Sequence, residues 1–147
     1  MALISEKDAE ILRKELASRM VEPVKLVMFT QQVECQFCAE TRQIVDEVAS
    51  LSDRITAEVL DFVEDKAAAE RYGVDKIPAI ALVREEDTGE RDYGIRFYGI
   101  PSGYEFTTLI EDILNVSVGA TELKAKTKQV LADLAQPVHI QVFVTPT

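Results

Sequence analysis

Two cysteines separated by two residues constrain this chain more than any other feature. Cys35 and Cys38 are the only cysteines among 147 residues, and they follow an apolar run, Val24–Thr30, after a few polar residues. A helical pattern of apolar residues begins directly after the pair, at Ala39. A Cys-x-x-Cys motif at a junction between a strand and a helix indicates a pair of thiols that forms and breaks a disulfide. The spacing leaves two alternatives open, a buried structural thiol pair and a zinc site.

Size and charge limit the class of protein. A chain of this length buries about 70% of its unfolded surface, so it folds without a disulfide staple. The 26 acidic residues outnumber the 16 basic ones and give a net charge of -10, which argues against nucleic acids and anionic membranes as partners. There is no apolar stretch of membrane-spanning length and no basic-then-apolar leader. We therefore expect a cytoplasmic protein, where a Cys-x-x-Cys motif serves catalysis or metal binding more often than structure.

The apolar periodicity predicts alternating helices and strands. Helices are predicted over residues 5–19, 39–51, 64–72, 106–114 and 120–135, and strands over 24–30, 55–62, 74–83, 91–98 and 138–144. Ser5 is the predicted cap of the first helix. The predicted inward residues of the second strand are Ile55, Ala57 and Val59, with Leu60 as a further candidate. The first half requires a parallel strand pair and the second half a hairpin. The predicted fold is therefore α/β, a mixed central sheet with helices on both faces, an extra N-terminal helix, and a C-terminal helix plus strand.

The strand, the Cys-Gln-Phe-Cys motif and the later Ile77-Pro78 before an apolar strand together resemble the thioredoxin fold. The leading helix, residues 93–106 and the closing residues 142–147 make the chain similar to the N-terminal unit of glutaredoxin-like protein disulfide oxidoreductases of thermophiles. Those proteins carry a second Cys-x-x-Cys directly after such a strand, and this chain ends just before that point. The resemblance implies a thioredoxin-like unit with its leading helix over residues 1–117, and the start of a second unit over 118–147.

The resemblance implies a thiol–disulfide oxidoreductase that exchanges disulfides with protein substrates. Cys35, at the start of the helix, would attack, and the more buried Cys38 would resolve the mixed disulfide. The disulfide itself is then the redox group, and neither a cofactor nor a metal is expected. A closed zinc site needs four ligands, and one Cys-x-x-Cys with the single His139 supplies too few within one chain. The implied proline bond is cis, facing the sulfurs, and the residues expected to bind substrate are Phe37, Ile77, Pro78, Gly99 and Ile100.

Two positions depart from the thioredoxin pattern. Phe29 stands where thioredoxins carry an acid in the strand before the first cysteine, and Glu34 stands where a tryptophan commonly precedes the motif. A carboxylate close to Cys35 would oppose formation of its thiolate. These departures support an alternative, a non-catalytic docking half of a two-unit redox protein. A further alternative is an electron-relay domain of a peroxide-reducing system.

The expected partners follow from this chemistry. They are protein disulfide or dithiol substrates and an electron donor, either a thioredoxin-reductase-like protein or glutathione. We also expect a homodimer through the strand over residues 138–144, because an unpaired apolar strand recruits a partner. The high charge content and the single asparagine are compatible with a thermophilic source.

Overall fold

The computed structural model describes residues 1–145, and the predicted closing residues Pro146 and Thr147 lie outside them. The helices and strands, in chain order, are α1 Glu6–Arg19, β1 Val24–Thr30, α2 Cys38–Ala49, β2 Ile55–Asp61, α3 Lys66–Arg71, β3 Ala79–Glu86, β4 Gly89–Tyr98, α4 Tyr104–Val118 and α5 Ala125–Ala132. The alternation of helices and strands in the first half and the hairpin in the second half are confirmed.

The four strands form one mixed sheet in the order β2-β1-β3-β4. β1 runs parallel to β2, with Val24 opposite Ile55, and β3 runs antiparallel to both β1 and β4. Successive side chains of a strand point to opposite faces of the sheet. Leu26 and Met28 of β1 therefore pack with α1, α2 and α4, whereas Val27 belongs to the core on the α3 side. The predicted mixed sheet with helices on both faces is confirmed.

The predicted cap of the first helix is also confirmed. The backbone N–H of Asp8 donates to the hydroxyl of Ser5 at 3.2 Å, and α1 begins at the next residue after Ser5.

At the far end of α4, the buried hydroxyl of Ser117 accepts a hydrogen bond from the N–H of Val21 and donates one to the carbonyl oxygen of Glu22. This serine therefore ties the end of α4 to the segment that enters β1.

The C-terminal region differs from the prediction. The strand predicted over 138–144 is not formed, and this segment lies exposed, with Phe143 at 89% of its free surface. A strand is stabilised by hydrogen bonds to a neighbour, and within residues 1–145 no strand lies beside this segment. α5 is shorter than the predicted helix over 120–135 and buries none of its residues. Residues 138–144 therefore do not pack on the described part of their own chain, and their pairing with a second chain stays a prediction.

One predicted inward residue of β2 is also wrong. Ile55 is buried and Val59 is half-buried, but Ala57 between them is exposed. β2 is an edge strand of the sheet, and the helices cover it only in part. None of the helices within residues 1–145 combines the length and the apolar character needed to cross a membrane.

Candidate active site at the end of β1

A disulfide joins Cys35 and Cys38, whose Cα atoms are 5.5 Å apart. Cys35 lies in the loop after β1 and is half-buried, whereas Cys38 is the first residue of α2 and only 5% exposed. The two cysteine residues thus differ in exposure to solvent. A reacting group from outside reaches Cys35 first, and Cys38 lies behind it.

The start of α2 leaves its first N–H groups without a side-chain partner. Phe37 occupies the capping position and makes no side-chain capping bond. Its carbonyl oxygen accepts two hydrogen bonds from Thr41, one from the backbone N–H at 3.0 Å and one from the hydroxyl at 2.7 Å. Thr41 is fully buried, so these bonds fix the first turn that carries Cys38. The unpaired N–H groups and the helix dipole favour negative charge at this point.

The Ile77–Pro78 peptide bond is cis, as the resemblance implies. Ala79, the next residue, pairs with Phe29 near the end of β1 and with Tyr98 at the end of β4. The end of β1, the start of β3 and the end of β4 therefore meet at one end of the sheet. The loop that carries Cys35 and leads to Cys38 at the start of α2 leaves from this same end.

The other residues expected to bind substrate surround this end of the sheet. The N–H of Gly99 donates to the carbonyl oxygen of Pro78 at 2.9 Å, and its φ of 87° is a conformation that glycine adopts readily. Ile77 packs against the core on the α3 side, whereas Ile100 packs against the core on the α1, α2 and α4 side. Phe37 is 45% exposed. Pro78 itself is buried.

The two residues that depart from the thioredoxin pattern, Phe29 and Glu34, lie in different environments. Phe29 is fully buried in the core on the α3 side, so β1 places a ring and not a carboxylate there. Glu34 is exposed and has a positive φ of 59°, which is uncommon for a residue other than glycine. Its charge lies in water next to Cys35, where salt and solvent weaken its effect.

A polar network on the α3 face was not predicted from the sequence. Lys25 forms ion pairs with Glu58, at 2.9 Å, and with Glu90. The carboxylate of Glu90 also accepts hydrogen bonds from the hydroxyl of Tyr72 at 2.6 Å and from Arg71 at 2.7 Å. Lys25 is near the start of β1, so the network lies away from the cysteines. A lysine inside the apolar run Val24–Thr30 is the signal that could have indicated a buried ion pair.

The network shifts the ionisation of its members. Burial, together with the hydrogen bond to Glu90, raises the pKa of Tyr72 to about 12. Burial by itself favours a higher pKa for Glu90, but the hydrogen bonds from Lys25 and Tyr72 outweigh it and lower the pKa below its ordinary value. Lys25 has a raised pKa, because its bonds to Glu90 and Glu58 outweigh the effect of burial. All three residues therefore keep their ordinary charge states at neutral pH.

Within residues 1–145, no group of three or more histidine, cysteine, aspartate or glutamate side chains is arranged to hold a metal ion. What the site presents is a disulfide at the start of a helix, between a half-buried Cys35 and a buried Cys38. On this fold it defines a class, the thiol–disulfide oxidoreductases.

No family model matches the chain. A probable thioredoxin of Methanothermobacter thermautotrophicus is 31% identical over 90 residues, which are 60% of this chain and 94% of that protein. The chain therefore belongs to the thioredoxin family.

Longer relatives share the same region. The F component of the alkyl hydroperoxide reductase of Staphylococcus epidermidis is 31% identical over 108 residues, which are 74% of this chain and 18% of that protein. An NADH dehydrogenase of Ferdinandcohnia aciditolerans is 30% identical over 102 residues, which are 69% of this chain and 17% of that protein. The chain thus spans less than a fifth of the length of these curated relatives.

Solved structures confirm the fold and the resemblance to disulfide oxidoreductases. The F component of the alkylhydroperoxide reductase of Enterococcus faecalis, as a C503A mutant, matches with a TM-score of 0.77 and 27% identity over 89% of this chain and 61% of that chain. A protein disulfide oxidoreductase of Aeropyrum pernix matches with a TM-score of 0.75 and 26% identity over 88% of this chain and 55% of that chain.

Proposed function

We propose that this chain reduces disulfides of protein substrates with the Cys35–Cys38 pair. In the reduced chain, the Cys35 thiolate attacks one sulfur of a substrate disulfide, and the other substrate sulfur leaves as a thiolate. Cys38 then attacks the sulfur of Cys35, which releases the second substrate thiolate and forms the internal disulfide. Two electrons pass to the substrate, and the chain ends oxidised. The observation that carries this proposal is the accessible Cys35 in front of a buried Cys38 at the start of α2.

The start of α2 supports Cys35 as the attacking residue. Only the thiolate attacks a disulfide, and a thiolate is stabilised at a helix N-terminus. The capping residue of α2, Phe37, makes no side-chain hydrogen bond to the first turn, so the N–H groups there remain available to the sulfur. The exposed Glu34 opposes this effect only weakly, because water screens its charge. The net electrostatic effect of the backbone therefore favours attack by Cys35.

We propose that the substrate chain binds across the end of the sheet beside the disulfide. The residues of this surface are Phe37, Ile77, Pro78, Gly99 and Ile100. An extended peptide can pair with the backbone at Ile77 in the manner of an added strand, and aliphatic side chains can lie against Ile100 and the exposed ring of Phe37.

Redox titration and insulin reduction test the proposal. We expect the purified chain to titrate reversibly as a two-electron dithiol against glutathione buffers, followed by mass after thiol alkylation. We expect Cys35→Ser to lose insulin reduction entirely, whereas Ser18→Ala, a change on the exposed face of α1, leaves it unchanged. Full insulin reduction by Cys35→Ser, or the absence of a reversible titration, would overturn the proposal.

A second candidate function is an electron relay in a peroxide-reducing system. The similarity to the F component of alkyl hydroperoxide reductases in sequence and structure supports it. The chain would then take electrons from a flavoprotein dithiol and pass them to a peroxidase disulfide. A thioredoxin-reductase-like donor or glutathione would serve the first function. Comparing the rates at which each donor reduces the oxidised chain distinguishes them, since a relay is reduced fastest by the flavoprotein. If the chain is instead a non-catalytic docking half of a two-unit redox protein, the flavoprotein, the thioredoxin-reductase-like donor and glutathione would all reduce it slowly.

We also propose a division at residue 117, with 118–147 forming the start of a second thioredoxin-like unit. The exposure of α5 and of the segment after it supports this division, because surface of this kind is normally covered. We further propose that the protein has a glutaredoxin-like role in the cytoplasm of a thermophile. The Cys35–Cys38 disulfide would be its sole redox group. Pairing of 138–144 with a second chain is the partner arrangement that this region favours.

A further inference from the structure

An apolar groove of about 640 Å³ lies between the start of α1, the start of α2 and the loop that joins β4 to α4. Two of its side chains, Leu3 and Ile11, are 53% and 54% exposed. The remaining apolar lining comprises Ile4, Leu12, Ile44, Ile100, Pro101 and Phe106. Removing such surface from water is favourable by about 25 cal/mol per Å². A covering segment would therefore gain free energy here.

Specific polar contacts hold one wall of the groove in place. The carboxylate of Glu47 in α2 accepts hydrogen bonds from the N–H groups of Leu3 at 2.9 Å and Ile4 at 2.8 Å. The side-chain amide of Gln43 donates to the carbonyl oxygen of Met1 at 2.6 Å. The hydrogen bonds from Leu3 and Ile4 keep the pKa of Glu47 below its ordinary value despite some burial. Glu47 is therefore ionised at neutral pH and accepts the hydrogen bonds that fix this wall. The backbone is fixed while the side chain of Leu3 remains exposed, as a binding wall requires.

The groove begins next to the redox site. Glu40, two residues after Cys38, lies on its border in the first turn of α2. Ile100 is shared between the groove and the proposed substrate surface, and it directly follows Gly99, which bonds to Pro78.

The charges around the groove point to one kind of occupant. Asp8 and Glu40 are the charged residues that line it, and both are acidic. A second copy of this chain would bring a further net charge of -10 to this acidic border. A segment with basic residues gains attraction at the same place, and its aliphatic side chains fit the apolar lining. A basic and aliphatic segment of another protein therefore fits the groove best.

We propose that this groove binds the part of a protein substrate that adjoins its disulfide, where aliphatic side chains alternate with lysine or arginine. The inference rests on the proposed function, because the groove selects substrates for the Cys35–Cys38 pair. It adds a specificity site beyond the surface around Pro78.

Three disulfide-containing peptides that differ only in the flanking residues test the groove. Their flanks are Lys-Leu-Lys-Ile, Glu-Leu-Glu-Ile and Lys-Ser-Lys-Ser, and bis(2-hydroxyethyl) disulfide reports on the cysteines alone. We expect kcat/KM for the basic aliphatic peptide to exceed that for the other two by about tenfold, the effect of one buried aliphatic side chain or one close charge pair. We define a ratio, kcat/KM for the basic aliphatic peptide divided by kcat/KM for bis(2-hydroxyethyl) disulfide. In Ile11→Ser this ratio is expected to fall about fivefold or more.

Two further variants sharpen the comparison. Glu47→Ala releases the wall formed by residues 1–4, because it removes the acceptor of the Leu3 and Ile4 N–H groups. It is expected to lower the ratio of kcat/KM for the basic aliphatic peptide to kcat/KM for bis(2-hydroxyethyl) disulfide. Val130→Ser on α5 is the matched control, because Val130 is 58% exposed and lies outside the groove. It is expected to leave the ratio unchanged.

Binding is also measured without chemistry, by fluorescence anisotropy of a labelled, cysteine-free peptide carrying the Lys-Leu-Lys-Ile flank. Tight binding that Ile11→Ser weakens supports the groove even if no disulfide is reduced, and in that case only the proposed function fails. Equal kcat/KM for the three peptides overturns the groove and leaves the proposed function standing. Preference for the acidic peptide overturns it as well, and so does self-association that Ile11→Ser abolishes.

Discussion

The rings of Phe29 and Tyr72 meet edge to face, with centroids 6.0 Å apart and planes inclined by 62°. Phe29 is fully buried at the position where the thioredoxin pattern has an acid. The contact fills the core between β1 and the end of α3 with aromatic surface. Proton transfer during disulfide exchange therefore takes place without a carboxylate from this position of β1.

Restoring an acid at this position is expected to destabilise the protein. Phe29→Asp loses the aromatic contact and buries a carboxyl group without a partner, which costs about 3–5 kcal/mol of unfolding free energy. Phe29→Leu, which keeps an apolar side chain, is expected to cost about 1–2 kcal/mol. Urea unfolding measures both. Equal stability of the two variants would show that the site tolerates a carboxyl group.

Removing the second cysteine is expected to stop the reaction halfway. Cys38→Ser retains the attacking Cys35 but has no thiol to resolve the mixed disulfide, so a covalent adduct with the substrate accumulates. Intact mass spectrometry after reaction with a disulfide-containing peptide measures the adduct. Cys35→Ser is the matched control and is expected to form much less of it, since Cys38 is buried. More adduct with Cys38 as the remaining thiol would reverse the assigned roles.

The Lys25 network is expected to make stability depend on pH in the acidic range. The pKa of Glu90 is lower in the folded chain than its ordinary value. Its contribution is therefore present above the unfolded pKa of about 4.3, and it is lost as the pH falls through the folded pKa. Glu90→Gln is expected to cost about 1–3 kcal/mol at pH 7 and to flatten the acid limb of stability against pH. Chemical unfolding at a series of pH values measures both effects.

Glu10→Gln provides the control for this change. Glu10 forms an ion pair with Lys14 at 2.9 Å on the exposed face of α1. Exposed pairs of this kind contribute less than about 1 kcal/mol. An acid limb that Glu10→Gln flattens as much as Glu90→Gln would assign the pH dependence to general charge and not to the network.

The hydroxyl of Ser117 is expected to contribute to stability through its two bonds. Ser117→Ala removes the partner of the Val21 N–H and of the Glu22 carbonyl oxygen, at a cost of about 1–2 kcal/mol. Ser50→Ala is the matched control, because Ser50 is exposed and bonds only locally, to the carbonyl oxygen of Glu47. Thermal unfolding compares the two variants. An equal melting temperature would show that the hydrogen bonds of Ser117 do not contribute measurably to stability.

Deleting residues 138–147 separates folding from association. The described side chains of 138–144 are exposed, so the shortened chain is expected to melt within about 2 °C of the full chain. If the segment pairs with a second chain, the full chain sediments as a dimer and the shortened chain as a monomer. A dimer that survives the deletion would place the contact elsewhere.

Local sequence determined most of the elements and the chemistry of the site. Ser5 begins the first helix by local hydrogen bonding, and the apolar run of β1 predicts a strand covered on both faces. The spacing of Cys35 and Cys38 at a strand–helix junction favoured a redox pair but left a structural thiol pair and a zinc site open. The cis bond at Pro78 was expected only through the resemblance, because the sequence around a proline does not fix its isomer.

Tertiary structure decided what depends on neighbours distant in the chain. Ala57 has the spacing of an inward residue, but the edge position of β2 leaves it exposed. Residues 138–144 have the pattern of a strand but no neighbouring strand within the described chain to bond with. Lys25 is paired only because β2 and β4 bring Glu58 and Glu90 to it. Periodicity describes one element at a time, whereas burial and ion pairing are set by what packs beside it.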